Sequence, residues 1–226
     1  MSFRNYTIVS IEGNIGSGKS TLLEELRNTY QNNEKIAFVK EPVDEWETIK
    51  DENSNTMLQK FYGNQEKYAF SFQMMAYISR LNTLKTTIQN NPNAEIFITE
   101  RCLYTDKYVF ALMLYNEKKI EEVNFQIYNK WFEHFAGDYP INKMIYVNTD
   151  PSVCHNRIAM RSRAGESTIS IDYLTECHNY HEQMVRDCLK KTQCLELDGN
   201  LNIHTDNTEL FTKRLESIHN FISLKM

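Results

Sequence analysis

The chain has 226 residues, enough for one well-buried domain and short for two. Hydrophobic residues make up 41%, charged residues 24% and the net charge is -5, a soluble globular balance that argues against a broad basic face for duplex nucleic acid. No apolar run approaches eighteen residues, so no membrane span is expected, and the five cysteines contain no C-x-x-C pair, which points away from a disulfide framework and toward a reducing, cytoplasmic setting.

In chain order, Met1 to Asn5 leads at once into an apolar run, leaving no room for a targeting peptide. Strands are predicted at Tyr6 to Ile11, Lys35 to Lys40, Ala94 to Thr99, Lys143 to Asn148 and Gln193 to Leu197. Helical patterns separate them. The longest runs from Glu66 to Asn90, with Phe70, Gln73, Met74, Tyr77, Ile78 and Leu81 at helical spacing. Another opens at Asp150-Pro151, and Tyr173 to Leu189 reads as a surface helix. Alternation of strand and helix predicts an α/β fold, one domain over 1–226 with a five-stranded parallel sheet covered on both faces. Ligands of such sheets bind beyond the carboxyl ends of the strands, here Glu12-Gly13, Glu41-Pro42 and Glu100-Arg101.

After the first strand, Gly13-Asn14-Ile15-Gly16-Ser17-Gly18-Lys19-Ser20 matches G-x-x-x-x-G-K-[ST], and Thr21 follows. The glycines let consecutive N–H groups converge on one centre, and the helix opening near Gly18 adds its positive end. This is a P-loop, the cradle of a nucleoside triphosphate. Lys19 is placed for the β- and γ-phosphates, and Ser20 for Mg²⁺. The guanine-reading N-K-x-D of switch GTPases is absent, since Asn142-Lys143-Met144 continues with Ile145. A non-catalytic P-loop regulator is the competing class unless acceptor-site residues exist.

Further motifs follow in order: Glu41-Pro42-Val43-x-x-Trp46, Phe70-Ser71-Phe72-Gln73, Glu100-Arg101-x-x-Tyr104-x-Asp106 and Arg157-x-x-x-Arg161-x-Arg163. Together with the P-loop this set resembles the deoxyribonucleoside kinases related to deoxycytidine and deoxyguanosine kinase, from residue 8 to about 200. The resemblance implies a P-loop kinase fold with an arginine-rich lid near 157–170, transfer of the γ-phosphate of ATP, and a homodimer formed through long helices such as 66–90 and 121–135. Glu41 is then the general base for the acceptor 5′-hydroxyl, Glu100 a second holder of Mg²⁺, and Arg101 a ligand of the acceptor oxygen. Arg157, Arg161 and Arg163 neutralise phosphate charge, as guanidinium forks suit phosphate oxygens. Solvated carboxylates, a structural Glu100–Arg101 pair and a solvated basic helix face are the bland alternatives.

For the acceptor, the same resemblance assigns Gln73 to the base edge, Phe72, Phe110 and Trp46 to the walls, and Tyr62 with Glu166 to the sugar 3′-hydroxyl. Phe72 could equally be ordinary core. Arg80 lies two turns beyond Gln73, and with Asp106 it resembles the pair in deoxycytidine and purine deoxynucleoside kinases, while Ala76 leaves room for the base. Deoxyadenosine, deoxyguanosine or deoxycytidine are expected as acceptors, with thymidine poor. Lys40 keeps a second reading open, because thymidylate kinases carry a cation just before Glu-Pro; strand alternation places it opposite Glu41. His178 and His181 beside Cys177 lack further ligands at zinc spacing and read as structural or solvated, and Met74 and Met75 as packing.

Overall fold

The apolar runs become β1 (Thr7–Glu12), β2 (Ile36–Val39), β3 (Ile96–Glu100), β4 (Lys143–Asn148) and β5 (Gln193–Asp198). The structure, a computed structural model, describes residues 6–161, 163, 165–188, 192–201 and 208–223. All five strands are parallel, in the order β2-β3-β1-β4-β5. β1 is central, with Val9 opposite Ile98 on one side and Lys143 on the other. Parallel neighbours cannot be joined by tight turns, so long crossovers carry the helices that cover both faces.

The helices are α1 (Lys19–Thr29), α2 (Val43–Trp46), α3 (Met57–Gly63) and α4 (Gln65–Asn90), then α5 (Leu103–Thr105) running through a π turn (Asp106–Ala111) into α6 (Leu112–Asn116). α7 (Glu122–Phe135), α8 (Pro151–Arg161), α9 (Ile171–Gln183) and a C-terminal helix (Thr208–Ser223) complete the set. Local sequence sets several starts. Thr56 and Gln59 form a capping box on α3, Asn64 caps α4 by accepting from the Lys67 amide, and Ser170 does the same for α9 through the Tyr173 amide.

Period-two alternation in the strands builds the two cores. On one face Val9 and Ile11 meet Leu22, Leu23 and Leu26 of α1, together with Ile218 and Ile222 of the C-terminal helix. Lys143 is buried there, its Nζ 2.8 Å from the Phe221 carbonyl and 3.4 Å from that of Ile222. A cation thus meets the open carbonyls of a helix end. On the other face Met144 and Tyr146 pack against Val109 of the π turn and Met184, and Ile8 joins Leu84 of α4 and Cys102.

Two predicted helices show which of their residues face inward. The inner face of α4 is Ala69, Phe72, Gln73, Ala76, Tyr77, Ser79, Arg80 and Leu84, whereas Ile78, one of the residues at helical spacing, is 48% exposed. Gln73 and Arg80 are buried because they face a polar cavity, which the periodicity of apolar types does not reveal. The segment read as a surface helix buries Leu174, Cys177 and His181 against α8 and the 103–116 segment; Leu189 lies outside the described residues. Its few buried positions sit within an otherwise polar sequence. The His181 ring is 2.7 Å from the Cys177 carbonyl through Nδ1, and burial, then Arg101, hold it well below its ordinary pKa, so it is neutral.

Candidate active site

The P-loop turns on backbone that side chains disfavour. Gly13 has φ +144° and Gly16 φ +79°. A Cβ would lie 2.6 Å from the Val147 carbonyl at Gly13, and 2.6 Å from the Cys154 carbonyl at Gly16. Gly18, at φ 99°, caps α1 in the left-handed region. Asn14 and Ser17 are buried and shape the loop rather than line the cavity. The Asn14 amide donates to the Leu174 carbonyl at 2.8 Å, while its oxygen accepts from the Ile15 amide at 2.8 Å. Lys19 is folded into the loop, with Nζ 2.5 Å from the Asn14 carbonyl and 3.4 Å from Ser17 Oγ. Burial, then the positive charge of Arg101, lowers its pKa to about 7. The Ser20 hydroxyl donates to Glu100 Oε1 at 2.6 Å, so the two oxygen donors expected to hold Mg²⁺ are adjacent. Hydroxyl and carboxylate oxygens beside a triphosphate cradle fit the ligand preference of that hard cation.

Beyond the cradle opens a cavity of about 380 Å³ at the carboxyl ends of the strands. Ile15, Gly16, Gly18, Lys19, Ser20 and Thr21 line one end. Trp46, Tyr62, Phe72, Gln73, Ala76, Arg80, Asp106 and Phe110 line the other, with Glu41, Glu100 and Arg101 between. The sequence reading missed Val43, Leu58, Phe61 and Tyr173 in this lining. Apolar residues on short helices look like core, and Phe61 is also that, stacked on Phe72 at 4.5 Å. Phe72 therefore serves both as core and as wall.

The charged residues form one connected chain. Arg80 donates through Nε to Asp106 Oδ2 at 2.9 Å, through Nη1 to the Glu100 carbonyl at 2.8 Å and through Nη2 to Glu41 Oε1 at 2.9 Å. Arg101 Nη1 reaches the same Glu41 oxygen at 2.8 Å. Burial opposes the charged form of Glu41, but Arg101 and then Arg80 outweigh it and hold its carboxyl well below the usual range. Glu41 is thus ionised at any working pH, with Oε2 outside these hydrogen bonds. Arg101 sits at φ 61°, a conformation uncommon for a residue with a Cβ, and its guanidinium lies 5.2 Å from the Phe110 ring centre. Its amide donates to the Ile11 carbonyl at 3.0 Å and its carbonyl accepts from Thr99 Oγ1 at 2.8 Å, which pins this turn to the sheet. Lys40 is exposed, with Nζ 3.7 Å from Asp44.

Arg157, Arg161 and Arg163 take different partners. Arg161 donates to Glu166 Oε2 through Nε at 3.0 Å and Nη2 at 2.5 Å, and Arg163 donates to Glu166 Oε1 at 3.2 Å. Arg157 instead donates to the Gly199 carbonyl at 2.7 Å, beside the P-loop. All three line the cavity. Glu166 is buried, and burial followed by its charge pushes the Tyr62 phenol upward, keeping Tyr62 a hydroxyl donor. The pairing of Glu166 with both arginines was not foreseen, because sequence separation does not report who neutralises whom.

A central β1 ending in this P-loop, an all-parallel sheet and a charged acceptor cavity beside the cradle define a P-loop kinase. The deoxynucleoside kinase family model matches residues 9–223, and the chain belongs to that family. It is 34% identical over 221 residues to the probable deoxycytidine kinase of Fowlpox virus, covering 95% of this chain and 88% of that protein. Deoxycytidine kinase 1 of Xenopus laevis is 30% identical over 243 residues, 95% of this chain and 90% of the relative. The mitochondrial deoxyguanosine kinase of the same species is 28% identical over 214 residues, covering 86% and 78%.

Proposed function

We propose that the chain transfers the γ-phosphate of ATP to the 5′-hydroxyl of deoxyadenosine, deoxyguanosine or deoxycytidine in preference to thymidine. The observation that carries this reading is the buried chain Asp106–Arg80–Glu41–Arg101 beside the P-loop. One end of that chain can read a base and the other can act on a hydroxyl. Glu41 takes the 5′-hydroxyl proton as the new O–P bond forms and the bond from Pγ to the ADP oxygen breaks. The P-loop amides and Lys19 hold the phosphates, and Arg161 and Arg163 stand at the cavity to meet the charge in flight. Ser20 and Glu100 would hold Mg²⁺, which supplies charge neutralisation at the β- and γ-phosphates.

For the acceptor, Gln73 reads the base edge with Phe72 and Phe110 as walls, and Tyr62 with Glu166 takes the 3′-hydroxyl, all five lining the cavity. A relative named for deoxycytidine and one named for deoxyguanosine are consistent with the Arg80–Asp106 pair favouring bases that offer an exocyclic amine. The monophosphate-kinase reading loses support from Lys40, whose side chain is 55% exposed and paired with Asp44 rather than facing the cavity. A homodimer is supported by Ile78 of α4 and by Val123, Ile127 and Trp131 of α7, all at least 42% exposed on neighbouring helices.

The deciding experiment is a coupled assay with MgATP against the four deoxynucleosides, their monophosphates and adenosine. Turnover of purine deoxynucleosides or deoxycytidine with inert monophosphates is expected. Turnover of monophosphates alone moves the assignment to the second reading. Light scattering on the wild type and Trp131→Glu reads the dimer, with a halved mass expected for the variant.

A further inference from the structure

Trp46 carries a buried indole N–H that must find an acceptor, and it finds a side chain outside the cavity lining. Its Nε1 donates to Ser79 Oγ at 2.8 Å, with Trp46 6% and Ser79 4% exposed. The Ser79 proton is turned toward the backbone of its own helix, to the Met75 carbonyl at 2.7 Å. That back-bond, which usually makes serine a poor choice inside a helix, here aims an oxygen lone pair at the indole. The next residue, Arg80, holds the other end of the same segment through Glu41 at 2.9 Å. Between Glu41 and Trp46 the chain is a single helical turn, with the Trp46 amide 3.2 Å from the Pro42 carbonyl. A displacement at Trp46 is therefore transmitted to Glu41.

We infer that Ser79 is a positioning residue for the acceptor, acting with Arg80 as a two-point clamp that seats the 41–46 segment on α4. The inference rests on the nucleoside-kinase reading, since it is that acceptor whose wall Trp46 forms. The Trp46 ring stands edge-on to Phe72 at 5.6 Å, so the clamp also sets the spacing of two cavity walls. Without the hydroxyl, the indole N–H has no partner at this place, and the ring must turn toward water or the cavity to recover one. The phosphate cradle takes no part in these contacts. Ser79→Ala should therefore act on the acceptor and spare ATP.

The test uses a Trp131→Phe parent, because Trp46 and Trp131 are the two tryptophans of the chain and Trp131 is 44% exposed. In that background Ser79→Ala should raise the deoxynucleoside KM by about ten-fold while the ATP KM stays within two-fold (roughly the loss of one buried hydrogen bond). The emission of Trp46 should shift to the red and become more open to acrylamide quenching. Ser79→Thr, which keeps the hydroxyl, should restore both. Unchanged Trp46 emission and quenching in Ser79→Ala would overturn the clamp. A parallel rise of both KM values with a lowered Tm would overturn it too, as that is what a merely structural serine produces. If the parent phosphorylates no deoxynucleoside, the kinase reading falls and the fluorescence comparison alone decides the clamp.

Discussion

The two ends of the cavity are built on different principles. The donor end is mostly backbone: contiguous residues, glycines at positive φ, and a lysine folded onto a loop carbonyl. The acceptor end is mostly side chain, assembled from α2, α3, α4, the π turn and the arginines around Glu166, and its charges satisfy one another. A backbone cradle is damaged most directly by changing the path of the chain. A side-chain network selects its ligand, because the ligand must match charges that are otherwise self-compensated. Each end should therefore fail in its own way, and that separation can be broken experimentally.

Glu41→Gln should give the largest effect. Loss of the proton acceptor should lower kcat by roughly 10²–10⁴-fold, with ATP affinity by calorimetry unchanged. An equal loss of ATP affinity would mean the two ends are not separable. The donor end breaks at Gly16→Ala, where a left-handed backbone and the Cys154 carbonyl both oppose the methyl group. ATP binding should weaken by about 10–100-fold, since the strain and displacement amount to a few kcal/mol, while deoxynucleoside binding by fluorescence titration holds.

Asp106→Ala tests selection within the acceptor end. Arg80 keeps Glu41 and the Glu100 carbonyl but loses its second carboxylate. kcat/KM for the preferred deoxynucleoside should fall by about 10–50-fold. Thymidine should change little, so the ratio of the two rates is the sensitive readout. The smallest effect sharpens the donor end alone. With the Lys19 pKa lowered to about 7 in the free protein, the ammonium is about half formed at neutral pH, and the phosphates would restore it. Above pH 7 the free protein must take up a proton to bind ATP. Affinity should then fall about five-fold from pH 7 to pH 8, with proton uptake visible as a dependence of the calorimetric heat on buffer. Lys19→Arg should remove that slope.

The same contrast explains what could be read in advance. A cradle made by consecutive amides needs its residues side by side, so Gly13 to Ser20 is visible as a string. The strands were legible for a similar reason: a parallel sheet buried on both faces needs short apolar runs, and the predicted limits, such as Tyr6 to Ile11 against Thr7–Glu12, lie within two residues of the observed ones. Much of the acceptor end was legible only by resemblance, because Gln73, Arg80 and Asp106 are polar residues in buried positions and carry no periodicity of their own. The same polarity hides which sides of α4 and α9 turn inward. The bond from Trp46 to Ser79 and the pairing of Glu166 with two arginines arise from tertiary proximity, which spacing along the chain does not encode.

The turn from Asp106 to Ala111 has a bearing on which changes the chain can absorb. A π turn accommodates one residue more than the regular helix around it. Substitutions there can be tolerated or repaired one side chain at a time. Loss of a single residue acts differently: it would return the turn to a regular helix, keep everything downstream in phase and redirect only the side chains within the turn. Met113 and Leu114, both fully buried, would stay in the core, while Phe110 would turn relative to Asp106 across the cavity. In this stretch the number of residues is itself a functional quantity. Scanning single-residue deletions through 106–111 would expose a requirement that scanning point substitutions misses.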